Sequence, residues 1–290
     1  MPRVSPRVLR RRGTEAGEAS AAAAKVEGPE AIPGEPDPRA AAFFDVDNTV
    51  LRGASIFYLA RGLYSRKFFG TRDIARFAYQ QVRFRLGAED MQHVAEIRST
   101  ALSFIAGHSV AELTQISEEV FDELIADKIW PGTRAVAQMH IDQGQRVWLV
   151  TATPVEVATI IATRLGLTGA LGTVAEHEDG VYTGRLVGDL LHGLAKAEAV
   201  RALAEKEGLD LQRCSAYSDS ANDIPLLSMV GNPCAINPDA ELRAHAREQG
   251  WAIRDYRGKR KTIALSTAAG VGALGGAATA GVLALRRARR

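Results

Sequence analysis

The rhythm of hydrophobic and polar positions changes along this chain. Residues 1–39 hold few large apolar side chains, with Val4, Val8, Leu9, Val26 and Ile32 scattered among Arg, Ala, Glu, Gly and Pro. Such a segment buries too little surface to offset chain entropy, so it is expected to be disordered. Ala40-Ala41-Ala42-Phe43-Phe44 follows and reads as a buried strand. Residues 55–126 then repeat apolar positions at helical spacing, as in Ile56, Leu59, Ala60 and Leu63, or Val120, Leu124 and Ile125. Gly70, Gly87 and Gly107 punctuate this stretch, and Trp130-Pro131-Gly132 closes it. Beyond it the pattern predicts helix to about Gln143, strand 146–151, helix 155–165, a hairpin around Asp179-Gly180 and helix 195–207. Strand 213–217, helix 221–229, strand 234–236, helix 239–249 and strand 251–254 complete the series. Helices alternating with buried strands imply an α/β fold, a parallel sheet with helices on both faces.

Charge sharpens this division. The chain is +2 overall, but residues 1–40 carry +1 and residues 256–290 carry +8, which leaves −7 for 41–255. An acidic body argues against a nucleic-acid partner. Cys214 and Cys234 are the only cysteines, and they read as small buried hydrophobes. The basic start, Arg7 with Arg10-Arg11-Arg12, has no apolar run behind it, so it is not a secretory signal. Residues 263–285 contain no charge, and basic residues flank them on both sides. As a helix they would reach roughly 34 Å, against a bilayer core of about 30 Å. They are a candidate membrane span with a GxxxG pair at Gly272 and Gly276, and they would leave the body on the cytoplasmic side. The competing reading is a flexible Gly/Ala tail in water. The pattern says nothing of oligomeric state.

The candidate chemistry lies where apolar runs end. Asp45-Val46-Asp47-Asn48-Thr49 closes the first strand with two carboxylates on one side of an extended backbone. Like charges so close need a cation or a proton between them. Arg146 to Val150 ends in Thr151, with Thr153-Pro154 next, and Thr153 is the better helix N-cap of the two threonines. Lys196 opens a helical pattern in Gly193-Leu194-Ala195-Lys196-Ala197-Glu198. Ala216-Tyr217-Ser218-Asp219-Ser220-Ala221-Asn222-Asp223 puts two carboxylates four residues apart just past a short strand.

These four segments, in this order, resemble the four motifs of the haloacid dehalogenase (HAD) superfamily of phosphohydrolases, in its subfamily IB, phosphoserine phosphatase-like branch. The resemblance covers about residues 41–255. It implies a HAD-like Rossmannoid, doubly wound parallel sheet with a helical class 1 cap inserted after the first strand. The core would be 40–54 with 127–255, the cap 55–126 and the basic tail 256–290. It also implies a Mg²⁺-dependent phosphomonoesterase acting on a small phosphorylated metabolite through an aspartyl-phosphate intermediate. Asp45 would be the nucleophile and Asp47 the general acid and base. Thr151 and Lys196 would hold the phosphoryl group. Asp45, Asp47 through its carbonyl, Asp219 and Asp223 would serve the metal. Asn222 and Arg98 would face substrate. One departure stands out. Phosphoserine phosphatases carry a carboxylate nine residues after the nucleophile, and this chain has Ala54 there. The rival readings are a phosphotransferase to an acceptor other than water, and a membrane-tethered interaction protein without turnover.

Overall fold

The computed structural model describes residues 6–24, 37–68 and 105–257. The chain divides into two compact units, Met1–Ile253 and Arg254–Arg290. The account below concerns the first.

A six-stranded sheet forms its centre. In chain order the strands are β1 (Ala41–Asp45), β2 (Arg146–Pro154), β3 (Gly169–Thr173), β6 (Ser215–Ser218), β7 (Asn232–Ile236) and β8 (Ala252–Arg254), in the spatial order β3-β2-β1-β6-β7-β8. β4 (Ala175–Glu178) and β5 (Val181–Leu186) make a separate antiparallel hairpin. The pairings β1/β2, β1/β6, β2/β3 and β6/β7 are all parallel. Every residue of β1 is buried, as a central strand covered on both faces requires. In register, Phe43 lies beside Trp148 and Ala216, and Asp45 beside Val150. Phe44 stacks on Tyr217 with ring centroids 4.3 Å apart. The chain leaves β1 toward β2 on one side and returns to β6 on the other. That reversal opens a crevice at the carboxyl ends of the strands, where α/β sheets place their ligands.

Among the described residues, the α-helices of this unit are α1 (Pro6–Ala23), α2 (Ser55–Ser65), α3 (Val110–Val120), α4 (Pro131–Asp142), α5 (Val155–Arg164), α6 (Leu194–Glu207), α7 (Ile224–Leu227) and α8 (Ala240–Glu248). α2 and α3 belong to the inserted stretch. Their links to the core pair with each other: Arg52 N–H donates to Lys128 O at 2.8 Å, and Trp130 N–H to Val50 O at 2.8 Å. The insertion therefore leaves and rejoins the core at one place.

Two expectations need correction, and one strand is new. Residues 6–23 were expected to be disordered within 1–39, and they form α1. Its buried Ala16 and Ala21, with Ala24 just past its end, lie in the same core cluster as Ala199 and Leu203 of α6. Small side chains close this seam. A Cβ on Gly17 would sit 2.8 Å from the Ala199 nitrogen, so only glycine allows that approach. A search for large apolar residues misses such packing. Thr153 does not cap α5. β2 runs on through Pro154, which holds the N-cap position with no side-chain bond. β3, in the small, glycine-bearing Gly169-Ala170-Leu171-Gly172-Thr173, is a strand that the hydrophobic pattern does not announce. A Cβ on Gly172 would meet the Val155 Cα at 2.6 Å, so the glycine lets the start of α5 cross the strand closely.

Among the described residues, no helix is long and apolar enough to cross a membrane. The candidate span 263–285 lies outside the described residues, as does Arg98.

Candidate active site

Asp45 is the last residue of β1 and is 5% exposed. The backbone then turns sharply: Val46 O accepts the N–H groups of Val50 and Leu51, both at 2.9 Å. Asn48 adopts a left-handed φ of 57°, and its Oδ1 accepts Gly53 N–H at 3.1 Å. Asparagine tolerates that region and closes the loop with its own side chain. The turn presents Asp47 to the first residue of α2. Asp47 Oδ1 accepts both Ser55 N–H at 2.8 Å and Ser55 Oγ–H at 2.5 Å. One carboxylate oxygen is therefore fixed by a helix N-terminus, and Oδ2 is left for chemistry.

Ser55 Oγ also lies 2.5 Å from Thr153 Oγ1, and Thr151 Oγ–H donates to Thr153 Oγ1 at 3.2 Å. Since Ser55 gives its proton to Asp47, it accepts from Thr153. A row of hydroxyls thus runs from Thr151 on β2 to Asp47, and all three hydroxyl residues are buried.

Lys196 stands in the first turn of α6 and is 4% exposed. Its Nζ donates to Asp45 Oδ1 at 2.5 Å and to Asp223 Oδ2 at 2.8 Å. Ser218 Oγ–H donates to the same Asp223 oxygen at 2.7 Å. Asp223 Oδ1 is buried without a partner. Asp219 follows β6, and its carbonyl accepts Asp239 N–H at 2.7 Å. Asp239 also caps α8 through Leu242 N–H at 2.7 Å and takes Ala221 N–H at 2.9 Å, which braces the fourth motif from behind. Asn222 is exposed, with its amide 3.2 Å from Ser220 Oγ.

The charges in this cluster do not balance. Burial pushes the Asp45 carboxyl up to about 7; Lys196 pulls it down, while Asp223 and Asp219 push it further up. Burial likewise raises Asp219 to about 6, with Asp223 adding and Lys196 opposing. Burial alone would lower Lys196, but Asp45 and Asp223 outweigh it and hold the ammonium above its usual value. Asp45, Asp219 and Asp223 share one lysine, so the site has room for a further positive charge.

The structure thus brings together Asp45, Asp47, Thr151, Lys196, Asp219 and Asp223, and leaves Asn222 at the rim. Ser55, Ser218 and Asp239 complete the cluster without having been singled out, and Thr153, expected as a helix cap, joins them. Ser55 carried a signal, a small hydroxyl residue opening a helix just after a carboxylate-bearing strand. Ser218 lay inside the fourth motif.

A parallel sheet with carboxylates, a lysine and hydroxyls at the carboxyl end of its central strands defines a hydrolase of the HAD type, acting on phosphoric monoesters. Residues 42–228 match the haloacid dehalogenase-like hydrolase family, and the chain belongs to it. It is 59% identical to the phosphoserine phosphatase SerB1 of Mycobacterium tuberculosis, over 88% of this chain and 83% of that one. It is 30% identical to a histidinol-phosphatase of Neisseria meningitidis, over 74% of this chain and 98% of that one. Among solved structures, a protein of unknown function from Bordetella pertussis Tohama I superposes with a TM-score of 0.66 at 32% identity, over 75% of this chain and 98% of that one.

Proposed function

We propose that this phosphatase is Mg²⁺-dependent, forms an aspartyl-phosphate at Asp45 and hydrolyses a small phosphomonoester. The observation that carries this reading is the placement of Asp45 against Lys196, with Asp47 tethered two residues on. In the first step a carboxylate oxygen of Asp45 attacks phosphorus in line. The bond to the leaving oxygen breaks, and Asp47 gives that oxygen a proton. In the second step Asp47 takes a proton from water. The water oxygen attacks phosphorus, the bond to Asp45 breaks, and phosphate leaves. Lys196 and Thr151 offset the charge on the phosphoryl oxygens.

The donor set suits Mg²⁺, which takes hard oxygen ligands and keeps several waters. Among the described residues no three His, Cys, Asp or Glu side chains form a ready cage. The Asp45 and Asp219 carboxylates with the Asp47 carbonyl supply two side chains and a carbonyl, in keeping with that habit. Asp223, bound to Lys196 and Ser218, would orient rather than ligate. The ion would neutralise the excess negative charge and draw electrons from the phosphoryl group.

The substrate stays at the level of a small phosphomonoester. Similar proteins carry names for different substrates. Ala54 offers no charge to an amine, so phosphoserine gains nothing there. The test is a phosphomonoester screen with the purified full chain in Mg²⁺, then in EDTA, then with Mg²⁺ restored. Hydrolysis that vanishes and returns supports the reading. Full turnover in a metal-stripped sample ends the metal assignment. A phosphorylated alcohol formed from an added acceptor replaces hydrolysis with transfer. Phosphoserine preferred more than about tenfold, or about 1.4 kcal/mol, overturns the substrate argument.

A further inference from the structure

Asp47 takes both bonds to its Oδ1 from one residue, Ser55, the first of α2. The amide bond follows the helix backbone. The hydroxyl bond depends on where Ser55 Oγ turns its single hydrogen. Two oxygens lie 2.5 Å from that Oγ, Asp47 Oδ1 and Thr153 Oγ1. An ionised carboxylate only accepts, so the row closes in one direction: Thr153 donates to Ser55, and Ser55 donates to Asp47. Without a hydroxyl at position 153 the buried Ser55 Oγ loses its donor, and nothing on that side fixes its rotor.

The end of β2 is built to hold Thr153 in place. The register of β2 against β3 shifts between Val150 and Pro154. Such irregularities re-aim side chains beside active sites. Ala152 O accepts Thr173 Oγ–H at 2.6 Å, and Thr173 Oγ in turn takes Leu191 N–H at 3.0 Å. A Cβ on Gly172 would lie 2.8 Å from Thr153 O, so β3 approaches this segment closely. Thr153 and Ser55 are buried, whereas Asp47 is half-buried and lies beyond the end of β1. The mobile partner is thus the acid, and the fixed one is the threonine.

Thr151 has a separate duty. Its single hydrogen donates to Thr153 Oγ1 at 3.2 Å, and a phosphoryl oxygen beside it would compete for that hydrogen. The hydrogen of Thr153 is committed to Ser55.

We propose that Thr153 is a positioning residue for Asp47. Through Ser55 it fixes the carboxylate oxygen that does not react, and so aims the other at the leaving group. The link joins the inserted helix to β2, whose Val150 lies in register with Asp45, and it keeps acid and nucleophile in one frame. This rests on Asp47 as the general acid and deepens that reading.

The test uses the full chain in Mg²⁺ and reads kcat/KM, which ends with departure of the alcohol. Two substrates are compared: an alkyl phosphomonoester, whose alkoxide needs a proton to leave, and p-nitrophenyl phosphate, whose leaving group departs without one. Thr153→Val keeps the shape and removes the hydroxyl. It should lower kcat/KM about tenfold for the alkyl ester and less than about threefold for the aryl ester, per folded molecule by circular dichroism. Thr153→Ser should regain most of the loss. Asp47→Asn is the reference, with the same preference at about 100-fold or more. If Thr153→Val does not fold, Thr153→Ala removes the same hydroxyl and is read in the same way. An equal fall for both substrates, or a Thr153→Ser variant no better than Thr153→Val, makes the residue a packing element and overturns the proposal. Leaving-group preference in Asp47→Asn but none in Thr153→Val overturns the positioning role alone. No preference in Asp47→Asn removes Asp47 as the acid, and the proposal falls with it.

Discussion

Helix α6 takes part in two buried seams of opposite construction. At its first turn Lys196 enters a cluster of carboxylates. One turn later Ala199 faces Gly17 of α1, across a seam of small side chains that Lys206 borders, its Nζ donating to Ala21 O at 3.2 Å. Both are closed to solvent. The first gathers groups that repel each other and is tolerated for its chemistry, since a buried ion cluster is weak evidence of stability. The second has no chemistry and serves only to hold an N-terminal helix on the core. Substitutions in the two places should therefore separate activity from stability in opposite senses.

The sharpest separation is expected at Asp45. Asp45→Asn keeps the shape and removes the nucleophile, so turnover should fall by at least about 10⁴-fold. The unfolding midpoint of the metal-free protein should hold or rise, because one of three crowded carboxylates is gone. A variant that keeps most of its turnover would break the comparison. Lys196→Met is the next largest change. It leaves Asp45 and Asp223 without their cation and should cost about 3 kcal/mol at neutral pH, read by urea denaturation, as well as activity. Loss of activity with unchanged stability would show that the lysine does not hold the cluster together.

At the other seam the order reverses. Gly17→Val puts atoms where the Ala199 backbone lies, and should cost about 2 kcal/mol with turnover per folded molecule unchanged. Equal losses of both would mean that α1 shapes the site. Ser55→Ala lies between the two cases. It removes one of the two bonds to Asp47 Oδ1, so kcat should fall about tenfold with little change in KM, and Ser55→Thr should restore part of it.

A pH dependence follows from the same crowding. Asp45 and Asp219 have folded pKa values, about 7 and about 6, above their ordinary 3.8. The folded, metal-free protein thus binds protons that the unfolded chain releases. Its stability should be greater near pH 5 and fall as pH rises through 6 to 7, and Mg²⁺ should flatten or invert that slope. A metal-free protein that gains stability on going from pH 5 to pH 8 would contradict the crowding of carboxylates at this seam.

The same contrast explains what could be read in advance. The charged seam announced itself, because carboxylates at the ends of uncharged runs are conspicuous: Asp45, Asp47, Thr151, Lys196, Asp219 and Asp223 were all legible. The links between them were less so. Ser55 bonds to Asp47 across 8 positions and to Thr153 across 98, and only the fold brings these together. The seam of small residues was silent. Alanine and glycine in α1 have the composition of a solvated tail, and only the facing glycine-to-alanine contact makes them a core. β3 was missed for the same reason, its glycines serving a close crossing rather than a turn.

The account rests on a covalent intermediate at Asp45, and that species can be caught. Full-length protein is mixed with a phosphomonoester that it hydrolyses, quenched in acid during turnover and reduced with borohydride, which converts an aspartyl-phosphate to homoserine. Peptide mass spectrometry then reads residues 43–47. The account predicts homoserine at position 45, dependent on substrate and absent from Asp45→Asn. Sustained hydrolysis with Asp45 always recovered as aspartate, or with homoserine at position 47 instead, would contradict it.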